Sequence, residues 1–306
     1  MSERKPLWLL AAPAIFLFLW SGGYVVAKIG LSYAEPLSLL VLRFFLVLVL
    51  MGAIALFVRP PLPEKAADWG HLAVVGFLMQ SVHFGMVYLA MKAGVAAGTA
   101  ALILSLNPVL VAVGAPYFVA ERVSWKQWLG LMLGLCGAAV VIVSRSDIDP
   151  PSLLGFTCAA LGLSGIAAAT LWEKRFGLSH HPVTANLIGY GAGFLGLLPF
   201  ALALESFRFD WSFEFGLVLV YLVIGNSVIA VGLLLAMIRA GAASQVSSLF
   251  FLTAPVAAVM AWLSLGDAMP MAAWVGMALA ATGVFIATRP RARTDASSEE
   301  PQPRPR

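Results

Sequence analysis

Glu121-Arg-Val-Ser-Trp-Lys-Gln-Trp-Leu-Gly130 opens a hydrophobic run, and Asp267-Ala-Met-Pro-Met-Ala-Ala-Trp-Val-Gly276 opens another one 146 residues later. The same offset matches three further pairs: Trp128 with Trp274, Gly130 with Gly276, and Gly137 with Gly283. An acid followed at equal distances by a tryptophan and two glycines indicates a duplicated chain, because internal repeats leave this kind of trace in a sequence. Glu121 and Asp267 therefore mark equivalent positions in two related units.

The composition predicts a membrane protein. Of the 306 residues, 61% are hydrophobic and 11% are charged, whereas a soluble domain carries about 25% charged residues. The net charge of +4 would favour a nucleic-acid partner in a soluble protein, but here the basic residues lie in short loops between apolar runs, which predicts a lipid bilayer and no nucleic acid. Cys136 and Cys158 lie inside apolar runs and are expected to be buried thiols, with no metal or cofactor.

Ten apolar runs are long enough to cross a hydrocarbon core of about 30 Å. The first run resembles a signal peptide, but its apolar core is too long and it has a partner in the second half, so we expect it to be retained. The predicted spans are Leu7–Lys28, Leu37–Val58, His71–Met91, Thr99–Val119, Trp125–Val143, Leu153–Trp172, Val183–Ala203, Phe215–Met237, Ser244–Leu265 and Ala272–Thr288.

Lysine and arginine predict the orientation of these spans. With the N-terminus inside, fourteen of the 19 basic residues fall on the cytoplasmic side. Lys28, Lys92, Arg145 and Arg208 fall outside, and Arg43 lies within a span. Because cytoplasmic loops are enriched in Lys and Arg, both termini are expected to be cytoplasmic and the protein to lie in the inner membrane.

The repeat extends through both halves of the chain. The 146-residue offset also pairs Pro36 with Pro182 and Gln80-Ser81 with Asn226-Ser227, and a one-residue slip then pairs Pro108 with Pro255. The sequence thus predicts an all-α membrane protein of two five-helix units, residues 7–143 and 152–288, with a polar, disordered cytoplasmic tail at 289–306. Because five is odd, the second unit enters the membrane from the opposite side, as in the inverted repeats of secondary transporters.

The order of several motifs, each present in one or both halves, resembles the ten-helix, EamA-type members of the drug/metabolite transporter superfamily. These motifs are Trp20-Ser-Gly-Gly, Lys28, Pro36, Arg43, Asn107-Pro108, Glu121-Arg122, Pro255 and Gly266-Asp267. The resemblance covers residues 7–288 and implies transport of a small metabolite through a central cavity. It also implies that helices 1–4 and 6–9 line the cavity, while the fifth and tenth helices brace the periphery.

Polar and aromatic residues within the spans are candidates for substrate binding, because polar groups in a membrane tend to face the bundle interior. Trp20 and Tyr24 share one face of the first helix and either stack against a substrate or anchor the helix at the interface. Gln80 and its repeat partner Asn226 either bind polar substrate groups or join helices by hydrogen bonds. His83, whose counterpart is Ile229, is a substrate ligand, a proton-sensitive group or a neutral buried histidine.

Two prolines interrupt the fourth and ninth predicted helices. Asn107-Pro108 and Pro255 are expected to produce kinks or hinges beside the transport path, because proline removes a backbone hydrogen bond and such breaks are tolerated where a helix lines a cavity. Asn107 is also expected to line the cavity. Ser248 and Phe251 share a face of the ninth helix with Pro255, where they line the cavity or allow close helix packing.

The charged residues at and near the ends of the spans are expected to have structural roles. Glu121 and Asp267 lie at opposite membrane faces, so they are expected to organise helix turns. Arg43 lies within two turns of the outer end of the second helix, where it can reach the surface. It is interpreted as an interfacial or structural arginine, with Glu35 as a partner. The alternative is an attractor for a carboxylate or phosphate.

These patterns predict a secondary transporter that exports a small metabolite, an amino acid or related neutral or zwitterionic compound, by alternating access. No Asp or Glu lies deep within a span, which argues against cationic substrates and carboxylate-based proton coupling. A proton-coupled antiporter that uses His83 is the alternative. A receptor or scaffold is a further one, whereas no zinc-protease motif or nucleophile elbow supports an enzyme. No oligomeric state follows from the sequence.

Overall fold

The apolar runs of the sequence form helices in a computed structural model of the chain. A helix satisfies its own backbone hydrogen bonds, which a chain surrounded by lipid cannot obtain from water. The structure describes residues 7–118, 124–146, 152–176, 180–230, 233, 243–266 and 269–288. Among these described residues, the β-structure consists of one isolated antiparallel bridge between Ala34 and Phe209.

Helical segments lie in each of the ten predicted runs. They are α1 (Leu7–Gly30), α2 (Pro36–Val58), α3 (Ala66–Gly76), a π-helical segment π1 (Phe77–Phe84), α4 (Gly85–Lys92), α5 (Ala97–Leu104), α6 (Asn107–Phe118), α7 (Trp125–Ser146), α8 (Leu153–Phe176), α9 (Pro182–Leu204), α10 (Phe213–Val220), a second π-helical segment π2 (Tyr221–Ala230), α11 (Ala243–Leu265) and α12 (Met271–Thr288). Among the described residues, seven stretches are long and apolar enough to cross a membrane, and three apolar stretches are shorter: Trp128–Val141, Thr253–Leu265 and Met271–Gly283.

Two helical stretches contain a π-helical segment, at positions that correspond under the 146-residue offset. Moved by 146 residues, π1 falls inside the range of π2. π-Helical turns are rare and frequent at functional sites. The two irregular segments thus lie at positions that the predicted repeat makes equivalent.

The glycines of the opening motif pack the predicted fifth helix, α7, against the tenth, α12. A Cβ atom added at Gly137 would overlap backbone atoms of Gly276 and Ala280, and one added at Gly283 would overlap the backbone of Gly134. Small residues allow helix backbones to approach closely in membranes, where dispersion contacts replace the hydrophobic effect. Glu121 and Asp267, which mark the same register, lie outside the described residues.

Helices α2 and α9, which the predicted repeat makes equivalent, pack against each other through aromatic rings. The centroids of Phe44 and Tyr190 are 5.5 Å apart, and those of Phe45 and Phe194 are 6.3 Å apart. Alongside, α8 contacts π1 and α4, α1 contacts α11 and π2, and α6 contacts α8. Helices α1, α2, α4 and π2 thus converge on one interior region.

Two loops from different halves of the chain meet at one end of the bundle. We call this meeting the interloop contact: Glu35 accepts hydrogen bonds from the Ser206 backbone N–H (2.7 Å) and hydroxyl (3.0 Å). In return, Glu205 accepts from the backbone N–H groups of Leu37 (2.9 Å) and Ser38 (2.6 Å) and from the Ser38 hydroxyl (2.7 Å). Glu205 therefore caps the N-terminus of α2 with a negative charge, which the helix dipole favours.

Candidate functional site

A small buried cavity lies where α1, α2, π1, α4 and π2 converge. Its wall includes Trp20 and Tyr24 from α1, Arg43 from α2, Phe84 and Tyr88 from the third helical stretch, and Asn226 from π2. Its volume is about 20 Å³, which is room for about one water molecule. Three of the residues predicted from the sequence, Trp20, Tyr24 and Asn226, are brought together in this wall.

Arg43 is the charged group of the cavity. Its side chain is 1% exposed. Nη2 donates to Asn226 Oδ1 (2.8 Å) and Ser227 Oγ (3.1 Å), Nε donates to the same Oγ (3.3 Å), and Nη1 donates to the Tyr88 hydroxyl (3.1 Å). The guanidinium carbon also lies 5.0 Å from the centre of the Phe84 ring, within the range of a cation–π interaction.

This position corrects the interfacial interpretation of Arg43. Starting eight positions into α2, about 10 Å from the helix end, its side chain turns into the bundle rather than to the surface. Partners more than 180 residues away in the chain accept three of its hydrogen bonds there. Glu35, the partner suggested by the sequence, instead accepts hydrogen bonds from Ser206.

The segment π2 presents the two side chains that hold Arg43. The Ser227 hydroxyl donates to the Leu222 carbonyl five residues earlier (3.0 Å) while its oxygen accepts from Arg43. Asn226 accepts from Arg43 through Oδ1 and donates through Nδ2 to the Leu19 carbonyl of α1 (3.2 Å). A single amide therefore connects α1, α2 and π2, and it fits because α1 has Gly23 at the contact, where a Cβ atom would overlap the amide.

The hydrogen-bond acceptors that Arg43 contacts are neutral. Three side-chain oxygens, from an amide, a hydroxyl and a phenol, solvate the guanidinium group but do not compensate its charge. The spans that form the cavity contain no Asp or Glu in their interior. A buried cation whose described partners carry no countercharge is energetically costly, so an anion in the cavity would be favoured electrostatically.

Gln80 and His83 lie in π1 but face away from this cavity. Gln80 is 8% exposed and packs against Gly193 of α9, and its Oε1 has no hydrogen-bond partner among the described residues. His83 Nδ1 lies 3.0 Å from the Gly162 carbonyl oxygen of α8, so the ring joins two helices as an Nδ1–H donor. The structure thus separates Gln80 from Asn226, although the two are equivalent in the repeat.

The proline positions of the two halves also differ. The fourth helical stretch is interrupted at residues 105–106, directly before Asn107-Pro108, so that α5 and α6 are separate helices. Asn107 Oδ1 is buried without a hydrogen-bond partner among the described residues. Pro255 lies inside the uninterrupted helix α11. The side chains of Ser248 and Phe251 lie outside the part of the chain that the structure describes in this detail.

Sequence reasoning did not select Phe84 or Tyr88 as cavity residues, and it gave Arg43 a role in binding only as the alternative, an attractor for a carboxylate or phosphate. Two signals could have indicated them. Phe84 and Tyr88 are four residues apart and so share a helix face. Arg43 has Gly189 as its repeat counterpart, and a charge present in one half alone breaks the symmetry within a span.

Known proteins resemble this chain over most of its length. The sequence model of the EamA-like transporter family matches residues 6–143 and 153–289. A probable terminal-alkyne amino-acid exporter from Streptantibioticus cattleyicolor is 28% identical, with 94% of this chain and 95% of the exporter covered. A probable amino-acid metabolite efflux pump from Escherichia coli is 27% identical over 191 residues, and the match covers 62% of this chain and 61% of the pump's length.

A solved structure shows a similar fold. A protein of known crystal structure aligns with a TM-score of 0.62 at 19% identity, and the alignment covers 93% of this chain and 98% of that chain. At this level of identity the similarity concerns the arrangement of the helices alone.

Proposed function

This chain belongs to the EamA-like transporter family, and we propose that it exports a small metabolite across the inner membrane by alternating access. The substrate is an amino acid or a related neutral or zwitterionic compound. The observation that carries this proposal is the buried cavity whose wall combines Trp20 and Tyr24 of the first half with Asn226 of the second. A site between two related halves is where a rocking transporter binds its substrate.

The proposed architecture has ten helices in two inverted units, residues 7–143 and 152–288, with both termini and the tail 289–306 in the cytoplasm. The family model matches the chain twice, over ranges close to these units. The equivalent π-helical segments and the glycine contacts between α7 and α12 support the same duplication. The inversion follows from the odd number of spans in each unit.

The described state is interpreted as closed. The cavity has room for about one water molecule, and the interloop contact joins the two halves at the end that the Lys and Arg pattern places outside. Lys28 strengthens this end by donating to the carbonyl oxygen of Met91 (2.6 Å). Opening at either end would enlarge the cavity, and the break before Asn107-Pro108 is a proposed hinge for this motion.

The chemistry of the wall supports a substrate that combines polar and apolar groups. Trp20 and Tyr24 offer ring surfaces, while Asn226 and Arg43 offer polar groups. The names of two relatives, an amino-acid metabolite efflux pump and an alkyne amino-acid exporter, support the same class. The absence of acids from the span interiors in the sequence argues against cationic drugs.

Uptake of labelled amino acids into proteoliposomes tests the proposal. Trp20→Ala and Asn226→Ala are expected to reduce the rate of substrate flux at least tenfold, because each removes a group from the cavity wall. Trp125→Ala and Asn186→Ala are the matched controls: Trp125 is 71% exposed, and Asn186 donates to the Pro182 carbonyl oxygen within α9. Flux of no amino acid would refute the substrate class, and equal flux in all four variants would refute the site.

A further inference from the structure

We propose that Arg43 binds the carboxylate of the substrate, and that the carboxylate rather than the amino group is what the cavity selects. The substrate class would then include small monocarboxylates with an apolar or aromatic tail and no amino group. This inference rests on the proposed function, because it assumes that the substrate occupies the cavity between the two halves. It also assigns a role to the charge of Arg43, which the internal contacts leave unexplained.

The first argument is the charge balance of the cavity. Arg43 is 1% exposed, and its hydrogen-bond partners are the neutral side chains of Asn226, Ser227 and Tyr88. If Arg43 served only to join helices, a carboxylate partner would remove the cost of its buried charge, as buried charges are usually paired. No acid lies in the interior of the spans, so a bound carboxylate is the group that would compensate this charge.

The second argument is the number of donors that remain. A guanidinium group has five N–H donors in a fixed planar arrangement. Four of them account for the contacts with Asn226, Ser227 and Tyr88, which leaves one N–H of Nη1 without an acceptor among the described residues. The Tyr88 hydroxyl accepts from Nη1 and keeps its own hydrogen. Arg43 and Tyr88 can therefore both donate to one carboxylate in the cavity that they line.

The third argument concerns the amino group. The described residues that line the cavity include no acid that could pair with an ammonium group, and its cation-binding surfaces are the rings of Trp20, Tyr24 and Phe84. The Phe84 ring already contacts Arg43. A bound monocarboxylate brings the net charge of the site to zero. A bound zwitterion leaves the net charge of the site at +1, and a bound amine adds a second positive charge to it. We therefore expect an acid to bind at least as tightly as the corresponding amino acid, and an amine to bind least.

Binding to the detergent-purified full-length protein tests the inference apart from transport. The probes share a phenyl tail: 3-phenylpropionate, its amide, phenylalanine and phenethylamine. Thermal unfolding at increasing probe concentration gives an apparent affinity for each of them, since a ligand of the folded state raises the midpoint. We expect the acid and the amino acid to bind about tenfold or more tightly than the amide and the amine, because a charge-assisted hydrogen bond is lost with the carboxylate.

Two variants test whether the preference for the acid over the amide depends on Arg43. Arg43→Gln removes the charge, with Arg175→Gln as the control, because Arg175 is exposed and stacks on Phe176. Asn226→Asp keeps Arg43 and places a carboxylate at the oxygen that lies 2.8 Å from Nη2, so the variant folds with an internal countercharge. Both are expected to lose the preference for the acid over the amide, while Arg175→Gln retains it.

The outcomes separate this inference from the proposed function. Equal binding of acid and amide by the unmodified protein, or an acid preference that survives in Asn226→Asp, would overturn the role of Arg43. An acid preference that Arg43 controls, without flux of any probe in proteoliposomes, would support the carboxylate site and count against a transporter. Flux that does not distinguish the acid from the amide would support a transporter and count against the carboxylate site.

Discussion

Glu205 holds the interloop contact together, and its replacement by alanine is expected to open that end of the bundle. The carboxylate accepts three hydrogen bonds from α2, two from backbone N–H groups and one from the Ser38 hydroxyl, at 2.6–2.9 Å. Glu205→Ala leaves the first N–H groups of α2 without this cap. Helix α2 begins with Pro36 and carries no cap from its own residue Glu35, so Glu35 does not already supply a second acceptor.

The size of the effect follows from these contacts. Hydrogen bonds to a charged group contribute about 1.5–3 kcal/mol each, but water replaces part of them at a partly exposed site. We therefore expect a loss of about 2–3 kcal/mol for the three together, or roughly 30–150-fold in the ratio of closed to open molecules. At the opposite end the equivalent loop, residues 59–65, is held by a neutral hydrogen bond from Thr184 to the Pro61 carbonyl oxygen (2.9 Å). The mutation thus weakens the end that the interloop contact closes and leaves the contacts of the opposite end in place.

Thiol modification measures this opening. A cysteine replaces Ala27, which lines the cavity and is 1% exposed, in a background where Cys136 and Cys158 are removed. A membrane-impermeant thiol reagent is added on the side that carries residues 31–35. Glu205→Ala is expected to raise the modification rate about tenfold or more, because the rate follows the population of the open state.

Glu64→Ala is the matched control for this experiment. It makes the same chemical change in the loop at the opposite end, where Glu64 is exposed, and it is expected to leave the modification rate unchanged. Glu205→Gln retains an acceptor oxygen without the charge and should fall between the two. An unchanged rate in Glu205→Ala, with an unchanged thermal unfolding midpoint, would refute the reasoning.

Two further substitutions test the packing and the coupling. Gly137→Ala places a Cβ atom against the backbone of Gly276 and should lower the free energy of unfolding by about 1–3 kcal/mol. Thermal unfolding measures this loss. Gly52→Ala is the control, because its Cβ atom meets no atom within 4 Å, and it should show no loss of stability. His83→Asn should retain the hydrogen bond to the Gly162 carbonyl oxygen, while His83→Ala should lose about 1 kcal/mol without changing the response to an imposed pH gradient. Uphill accumulation that a pH gradient drives and His83→Ala abolishes would instead support proton coupling.

The sequence by itself determined the membrane environment and the positions of the helices. Its apolar runs had to become helices because lipid offers no hydrogen bonds to the backbone, and the described helices lie within a few residues of the predicted spans. The spacing of the glycines after Glu121 and Asp267 anticipated the glycine contact between α7 and α12. These features depend on local composition and spacing, which can be read along the chain.

Only the tertiary structure decided which polar residues face the cavity. Gln80 and Asn226 are equivalent in sequence, yet Asn226 holds Arg43 while Gln80 packs against Gly193. The reason is that the repeat counterpart of Arg43 is Gly189. At Arg43 a buried charge has to be solvated by polar partners, whereas at Gly189 a close backbone contact is possible. The partners of Arg43 are 45, 183 and 184 residues away, and no periodicity within a single helix shows such contacts.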